Sequence, residues 1–273
     1  GYSEVSPSSL VKTFCLCLVG ALSPPTLVMV DSKTRVFRFD GRNTFGDHKN
    51  ITGYINFKSE MWIFYYNIEF IYKNIQYDYV LFSPPDFDEL GLNPNTDEWD
   101  NWLNLRLQLL SPKRNLVSIC VSDRKFKGKI LQKHTNIIQI MKKNKWGLKS
   151  HKIWVKTLKI DIFRLTYMHI LTFAKKPHKV NAIKDFKPDV LVDEKSNRYE
   201  NYKFGMSLDV CKKLILNHTQ PNDIVYDPFM GSGTSAIAAI ETDRIYLGSE
   251  IKSHNSKLIR KRIKECISSS NSC

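Results

Sequence analysis

Short apolar runs alternate with amphipathic segments along the chain from residue 61 onward. Runs of about four to eight residues rich in β-branched and aromatic side chains are typical of buried strands, and apolar positions three or four residues apart are typical of helices. Alternation of the two favours an α/β fold with a doubly wound, mostly parallel sheet and helices on both faces. A strand or strand pair is predicted at 61–72, and strands are predicted at 77–82, 115–122, 150–156, 168–176, 223–227 and 244–251.

Several helical segments have recognisable ends. The segment 96–110 places Thr96 at its N-cap, where a hydroxyl can accept from a free backbone N–H. The segment 134–147 is expected to stop at Gly147, because glycine readily adopts the left-handed conformation that ends helices. Ser207 is the predicted cap of a further helix.

Residues 1–60 form an N-terminal segment to which the pattern assigns no role. Within it, the apolar run at 13–22 is too short to span a bilayer, so we expect a core strand or helix and no membrane partner. No internal repeat interrupts residues 61–273, which are expected to form one domain. Inside that domain, residues 175–203 are polar and short of core residues, which predicts a loop excursion.

Charge changes the expected partner. The chain of 273 residues has 41 Lys and Arg against 27 Asp and Glu, a net charge of +14. Such an excess favours a polyanionic partner, nucleic acid before a membrane surface, because each neutralised phosphate releases counterions. A solvated, lysine-rich surface is the alternative explanation.

Cysteine usage indicates the compartment. Six cysteines are scattered along the chain without a CxxC pair or a matching histidine spacing. This distribution predicts reduced thiols in an intracellular protein (cytoplasm or nucleoid, or nucleus if eukaryotic) and no metal site.

The stretch "VYDPFMGSGTSAIAA" (225–239) is the strongest chemical signal. An acid at the end of a strand, Asp227, precedes Gly231 and Gly233 and then a helix of small residues, an arrangement that lets a ligand approach the backbone closely. Glu250 ends the following strand, where a carboxylate can hold two ribose hydroxyls. A nucleotide phosphate loop is excluded, because no Lys-Ser or Lys-Thr pair follows the glycines.

A second signal is the end of the strand at 77–82, where Ser83 is followed by two prolines. Proline fixes its own φ angle and has no N–H, so this end is expected to be a stiff turn with bare carbonyls. The same tripeptide occurs at Ser23, but there it lacks the preceding strand and the following helix. We therefore take the tripeptide at Ser83 as the candidate catalytic motif.

Together the two motifs resemble those of the S-adenosylmethionine-dependent DNA amino methyltransferases. "DPFMGSGT" (227–234) is similar to the cofactor loop of that family, and "FSPP" (82–85) is similar to its catalytic motif. The catalytic motif comes first in this chain, which resembles the β-class order, and the resemblance covers residues 61–265.

The resemblance implies the Rossmann-like methyltransferase fold, S-adenosylmethionine as cofactor and DNA as partner, as in restriction-modification systems. It divides the chain into a catalytic half (61–176), a short recognition loop (177–203), a cofactor-binding half (204–265) and a polar tail (266–273). The implied catalytic residues are Ser83, Pro84, Pro85, Asp86 and Phe87. The implied cofactor residues are Phe204, Asp227, Pro228, Phe229, Gly231, Ser232, Gly233, Thr234 and Glu250.

One position departs from the family pattern. The family places an aromatic residue directly after the prolines to stack on a flipped base, whereas this chain has Asp86 there and Phe87 one residue later. Three alternatives stay open: Phe87 stacks with a shifted backbone, Trp154 supplies the ring, or the enzyme is weakened. A missing ring would lose roughly 1 to 3 kcal/mol of base binding. Core packing is the ordinary fate of both aromatic residues.

Substrate choice and DNA contact follow from the same resemblance. Serine at position 83 favours the 4-amino group of cytosine over the 6-amino group of adenine; action on adenine or on RNA, and a catalytically dead DNA-binding relative, are the alternatives. The basic loop containing Lys125, Lys127 and Lys129 is the expected phosphate-contacting surface, with a solvated lysine face as the alternative.

Overall fold

The computed structural model describes residues 76–94, 96–156, 165–177, 181, 186–192, 206–250 and 252–270, together with the backbone of three short N-terminal strands. These strands, β1 (Cys15–Cys17), β2 (Val28–Val30) and β3 (Val36–Arg38), form an antiparallel sheet of their own. The apolar run at 13–22 thus contains a strand. The strand predicted at 61–72 and Phe204 lie outside the described residues.

A seven-stranded sheet carries the rest of the described chain. Its strands are β4 (Tyr79–Phe82), β5 (Leu116–Val121), β8 (Gly147–Val155), β9 (Tyr167–Ala174), β10 (Val190–Val192), β11 (Ile224–Asp227) and β12 (Ile245–Gly248). A separate two-stranded ribbon consists of β6 (Arg124–Phe126) and β7 (Lys129–Leu131).

The strands of the large sheet lie in the order β10-β8-β9-β5-β4-β11-β12. All neighbours are parallel except for β9, which runs antiparallel to both β5 and β8. The expected mostly parallel, doubly wound sheet is therefore confirmed.

Helices cover both faces of the sheet. They are α1 (Phe87–Leu90), α2 (Glu98–Leu107), α3 (Lys133–Lys143), α4 (Leu208–His218), α5 (Thr234–Ile240) and α6 (Ser253–Ser270). No described helix is both long and apolar enough to cross a bilayer.

The core divides into two apolar clusters, because consecutive side chains of each central strand point to opposite sides. In β4, Tyr79 and Leu81 join the cluster of one face, whereas Val80 and Phe82 join that of the other. The first cluster includes side chains of α4, α5 and α6, and the second includes those of α2 and α3. The sheet is thus packed on both faces.

Helix ends agree with the sequence in one case and differ in two. Ser207 caps α4 as predicted, its hydroxyl accepting from the backbone N–H of Val210 at 3.3 Å. The N-cap of α2 is Asp97 and not Thr96, but Asp97 makes no side-chain cap bond. The Thr96 hydroxyl accepts from the Glu98 N–H at 3.4 Å and donates to the Asn93 carbonyl at 3.0 Å. Thr96 is thus engaged in the preceding turn.

The stop of α3 was predicted at Gly147, but the helix ends at Lys143. Lys145 takes the left-handed conformation with a φ of +64°, and the N–H of Trp146 bonds back to the Met141 carbonyl at 2.9 Å. Trp146 is buried, and packing of this large side chain fixes the stop before the glycine. Gly147 begins β8 instead.

The segment expected to be a loop excursion also contains a strand. β10 pairs with β8 in parallel at the edge of the sheet. Val190 and Val192 are exposed while Leu191 is buried, so the single inward side chain in a three-residue edge strand gave too weak a pattern to predict it.

Close packing at the end of β12 leads to a first prediction. Gly248 lies beside Asp227 in the sheet, and a Cβ there would overlap the Tyr246 hydroxyl and come within 2.6 Å of Met230 Sδ. Gly248→Ala should lower the free energy of unfolding by about 1 to 3 kcal/mol. Gly147→Ala is the control, since its nearest neighbour is 3.6 Å away. Urea denaturation compares them, and equal losses in the two variants would contradict the predicted crowding.

Candidate active site

The turn after β4 presents two free acceptors. Its two prolines fix the backbone, and the indole Nε1 of Trp99 on α2 donates to the Pro85 carbonyl at 2.9 Å. Within the described part of the chain, the half-buried Ser83 hydroxyl and the Pro84 carbonyl have no hydrogen-bond partner. A stiff turn with a bare carbonyl is what the sequence predicted for this strand end.

Asp86 has a structural role in this turn. It is the N-cap of α1: its Oδ1 accepts from the Phe87 N–H at 2.8 Å, and Glu89 completes the capping box. Its carboxylate also pairs with Lys133 at 3.2 Å and Arg124 at 3.4 Å. Asp86, the residue that departs from the family pattern, is therefore held by a helix cap and by two ion pairs.

Neither aromatic side chain considered for base stacking offers an open face. Phe87 is only 5% exposed and packs against Trp99 with ring centroids 5.4 Å apart. Trp154 is 2% exposed and belongs to the core cluster on the other face of the sheet from Phe87. The structure does not bring Trp154 to the turn, and core packing accounts for both rings.

Asp227 ends β11 and organises the turn that follows it. Its Oδ1 accepts from the Phe229 N–H at 2.8 Å, and its Oδ2 accepts from the Ser235 hydroxyl. The side chain is completely buried. Burial raises its pKa from 3.8 to about 7, although the two hydrogen bonds act in the opposite direction.

Two glycines shape the loop between Asp227 and α5. Gly231 and Gly233 have φ angles of +52° and +76°, a region that favours glycine. A Cβ at Gly233 would also approach Ile259 to 3.0 Å. Behind the loop, the buried Arg262 donates to the Ser232 carbonyl at 2.5 Å, which fixes the backbone between the glycines.

The smaller side chains of this loop are likewise held in place. The hydroxyls of Ser232 and Thr234 lie 3.0 Å apart, and both residues are buried. Pro228 is buried beside them, directly after Asp227. These three residues therefore define the shape of the loop.

Glu250 faces the same loop from the end of β12. Its Oε2 accepts from the Gly231 N–H and its Oε1 from the Lys252 N–H, both at 2.7 Å. Burial raises the pKa of Glu250, while these two hydrogen bonds lower it. A carboxylate therefore lies against the glycine loop, in the position predicted for a ribose contact.

Pairing of β4 with β11 brings the two motifs together. The strands are parallel neighbours, with Val225 opposite Tyr79 and Tyr226 opposite Val80. Their carboxyl ends therefore lie at one edge of the sheet. The Phe82 and Phe229 rings make contact across this edge, with centroids 5.4 Å apart. The expectation that both motifs meet at adjacent strand ends is confirmed.

The loop fits the cofactor that the motif implies. It combines a backbone without Cβ atoms at Gly231 and Gly233, a carboxylate at Glu250 and the partly exposed ring of Phe229. Phe229 is itself held between Phe82 and Trp102, whose ring centroid is also 5.4 Å away. A close-approach backbone with a carboxylate and an aromatic wall suits an adenosyl group.

The predicted DNA-contacting lysines lie on the ribbon formed by β6 and β7. Lys127 and Gly128 form its tip, both with positive φ. Lys127 and Lys129 are exposed and Lys125 is half-buried. Arg124 at the base of the ribbon pairs with Asp86 and Asp88, so this basic ribbon adjoins the proline turn after β4.

Sequence reasoning missed Trp99 and Lys133. The Lys133 side chain is buried, pairs with Asp86 and lies over the Phe87 and Trp99 rings at 5.7 and 5.6 Å. Burial lowers its pKa, while Asp86 raises it. Trp99 and Trp102 are three residues apart shortly after the prolines, a spacing that could have indicated a ring-bearing helix face against the turn. Nothing in the sequence pairs Lys133 with Asp86.

The buried carboxyl of Asp227 leads to a second prediction. In the folded chain it keeps its proton up to a pH of about 7, whereas in the unfolded chain it ionises near its ordinary value of 3.8. The stability it contributes is therefore complete below pH 3.8 and is lost as the pH rises through about 7. The slope is at most about 1.4 kcal/mol per pH unit.

Asp227→Asn should remove this component while keeping the shape of the side chain. Urea denaturation of both proteins at several pH values between about 5 and 8 isolates the contribution of Asp227, since all other groups are shared. Parallel pH profiles for the two proteins would contradict it.

Comparisons with known proteins agree with this geometry. The DNA methylase family model matches residues 39–261. Type II methyltransferase M.BglII of Bacillus subtilis is 46% identical over 44 residues, 16% of this chain and 12% of that protein. DNA adenine methyltransferase YhdJ of Escherichia coli K12 is 38% identical over 73 residues, 27% of this chain and 24% of that protein. The chain thus aligns with less than a quarter of the length of either relative.

Solved structures share the fold. TTHA0409 of Thermus thermophilus, a candidate DNA modification methylase solved in complex with S-adenosyl-L-methionine, superposes with a TM-score of 0.60 at 19% identity, covering 73% of this chain and 93% of that one. PvuII DNA methyltransferase, named as cytosine-N4-specific, gives a TM-score of 0.58 at 15% identity, covering 72% and 87%. With the family model spanning most of its length, this chain belongs to the DNA methylase family.

Proposed function

We propose that the chain transfers a methyl group from S-adenosylmethionine to an exocyclic amine of a DNA base, with cytosine N4 preferred to adenine N6. The observation that carries this proposal is the parallel pairing of β4 with β11, which places Ser83–Pro85 beside the glycine loop of Asp227–Gly233. A bound cofactor and an extruded base would share the edge of the sheet between these strands.

The acceptors of the catalytic turn suit an amine that becomes charged. An exocyclic amine is a weak nucleophile, because its lone pair is delocalised into the ring of the base. As its nitrogen develops positive charge, the Ser83 hydroxyl and the Pro84 carbonyl would accept hydrogen bonds from its N–H groups. Acceptors held still by two prolines and by Trp99 stabilise that charge without having to reorganise.

The glycine loop would hold the cofactor. S-adenosylmethionine supplies an electrophilic methyl group when bound. The Glu250 carboxylate would accept from its ribose hydroxyls, exchanging the Gly231 N–H that it accepts from in the structure. Phe229 would contact the adenosyl group and Asp227 would keep the loop in shape. Phe204, at the methionine end, completes this proposed set.

The preference for cytosine as substrate is based on the serine at position 83. Serine in that position accompanies the 4-amino group of cytosine more often than the 6-amino group of adenine in the family that the motifs resemble. Among the relatives, YhdJ is named as an adenine methyltransferase and PvuII as a cytosine-N4 enzyme. These relatives include both an adenine and a cytosine enzyme, so the choice of cytosine is based on Ser83 alone.

The basic ribbon is the proposed DNA contact. Lys127 and Lys129 project into solvent beside the catalytic turn, where they could neutralise phosphates flanking the extruded base. The loop at 177–203 would add the recognition contacts between the catalytic half (61–176) and the cofactor-binding half (204–265). An intracellular location belongs to the same proposal, because DNA is its expected substrate.

A second candidate function is a methyltransferase relative that binds DNA with little or no turnover. The engagement of Asp86 as a helix cap and the burial of Phe87 favour it, because the position that normally stacks on the base carries no available ring. Loss of stacking corresponds to roughly 10- to 100-fold in rate.

Nucleoside analysis tests the proposal. We expect DNA incubated with the chain and S-adenosylmethionine to yield 4-methylcytosine on digestion and mass spectrometry. Formation of 6-methyladenine instead would assign the enzyme to adenine. DNA binding without any methylated nucleoside, even in a single turnover, would overturn the enzymatic proposal in favour of the second candidate.

Ser83→Ala is predicted to lower turnover by about 10- to 100-fold while leaving cofactor and DNA affinity near normal, because its acceptor gains strength only as charge develops. Asp227→Ala should instead abolish cofactor binding, by removing the acceptor that shapes the glycine loop. Ser23→Ala is the matched control for the other Ser-Pro-Pro tripeptide and should be unaffected. Single-turnover rates and equilibrium binding separate these effects. A lower turnover in the Ser23 variant alone would show that the catalytic motif had been assigned to the wrong Ser-Pro-Pro tripeptide.

A further inference from the structure

A cluster of one carboxylate and two imidazoles lies at the same edge of the sheet, outside the proposed methyl-transfer site. Asp123 follows β5, His134 is in the first turn of α3, and His169 is in β9 opposite Val121. One ligand atom from each side chain lies within 4.8 Å of the other two. Asp123 Oδ2 is 2.7 Å from His134 Nδ1 and 3.5 Å from His169 Nε2.

The outer atoms of the cluster are already engaged. Asp123 Oδ1 accepts from the His134 backbone N–H at 3.1 Å. His134 Nε2 is 3.3 Å from the Thr135 hydroxyl, and His169 Nδ1 is 2.9 Å from Nε2 of His151. Such contacts on the far side of an imidazole fix its tautomer and orientation in metal centres. The atoms left over are the three that face one another.

Hydrogen bonding satisfies only part of the inner cluster, namely the 2.7 Å contact between Asp123 Oδ2 and His134 Nδ1. Among the described residues, the buried His169 Nε2 has no good hydrogen bond, since Asp123 Oδ2 is 3.5 Å away. The His134 and His169 rings stack with centroids 3.9 Å apart at 14°, so one ring has to turn before both nitrogens can point at a single ion. A buried nitrogen without a partner normally costs stability unless something binds it.

We propose that Asp123, His134 and His169 bind a divalent first-row transition ion, with Zn²⁺ as the best match. Two neutral imidazoles and one carboxylate are a common zinc ligand set and leave a fourth position open. The nitrogen donors disfavour Mg²⁺ and Ca²⁺, which prefer oxygen ligands. The prediction that there is no metal site rested on the spacing of cysteines and histidines along the sequence, whereas these ligands come from three separate elements.

The bound ion, with water as its fourth ligand, would stabilise the neighbouring turn at Ser83–Pro85. It would link the start of α3 to the carboxyl end of β5 and the amino end of β9. Lys133, the residue before His134, pairs with Asp86 at 3.2 Å, so fixing α3 also fixes the cap of α1. This inference does not depend on methyl transfer, and its test needs neither cofactor nor DNA.

The test is calorimetric titration of the full chain, stripped with a chelator and dialysed, with Zn²⁺ alone. We expect one equivalent to bind and the thermal midpoint to rise with Zn²⁺ concentration. Asp123→Asn, His134→Gln and His169→Gln should each weaken binding by more than about 100-fold, and His151→Asn by about 10-fold. His254→Gln, at an exposed position on α6, is the matched control and should bind normally.

Circular dichroism checks that each variant is folded. His134 is 20% exposed, so His134→Gln decides the question even if a variant of a more buried ligand does not fold. Co²⁺ in place of Zn²⁺ should give the visible spectrum of a nitrogen and oxygen site without thiolate charge-transfer bands. Absence of binding, or binding that survives His134→Gln and Asp123→Asn, would overturn the proposal.

Discussion

Parallel pairing of β4 with β11 is the contact on which the rest of the candidate site depends. The chain separates Ser83 from Asp227 by more than half its length, and only the sheet brings them together. Because neighbouring parallel strands end at the same edge, the prolines after β4 and the glycines after β11 necessarily face one space. The alternating side chains of β4, divided between two apolar clusters, hold this pairing from both faces.

Rigidity at this edge comes from side chains that take no direct part in the proposed chemistry. Trp99 bonds to the Pro85 carbonyl, and Asp86 caps α1 while pairing with Lys133. On the other motif, Arg262 reaches the loop from α6 and bonds to Ser232. Each motif is thus supported by a helix distant in sequence, as expected where acceptors must be in place before charge develops.

The sequence predicted the fold class, most central strands and both chemical motifs, because strand periodicity and glycine or proline placement are local signals. It could not predict what depends on packing across the fold. The end of α3 follows the burial of Trp146 and not the position of Gly147. β10 has one buried side chain, and Trp154 enters the core. The cluster of Asp123, His134 and His169 combines three elements with no sequence spacing to reveal it.

Crowding around Gly248 has an evolutionary consequence. The glycine at 248 leaves room for Met230, which belongs to the glycine loop, and for the Tyr246 hydroxyl. These positions therefore cannot vary independently: a lineage that acquires a side chain at 248 must shorten the one at 230 or displace the one at 246. Correlated substitution among these sites would record, across related sequences, the steric link between the last strand of the sheet and the glycine loop.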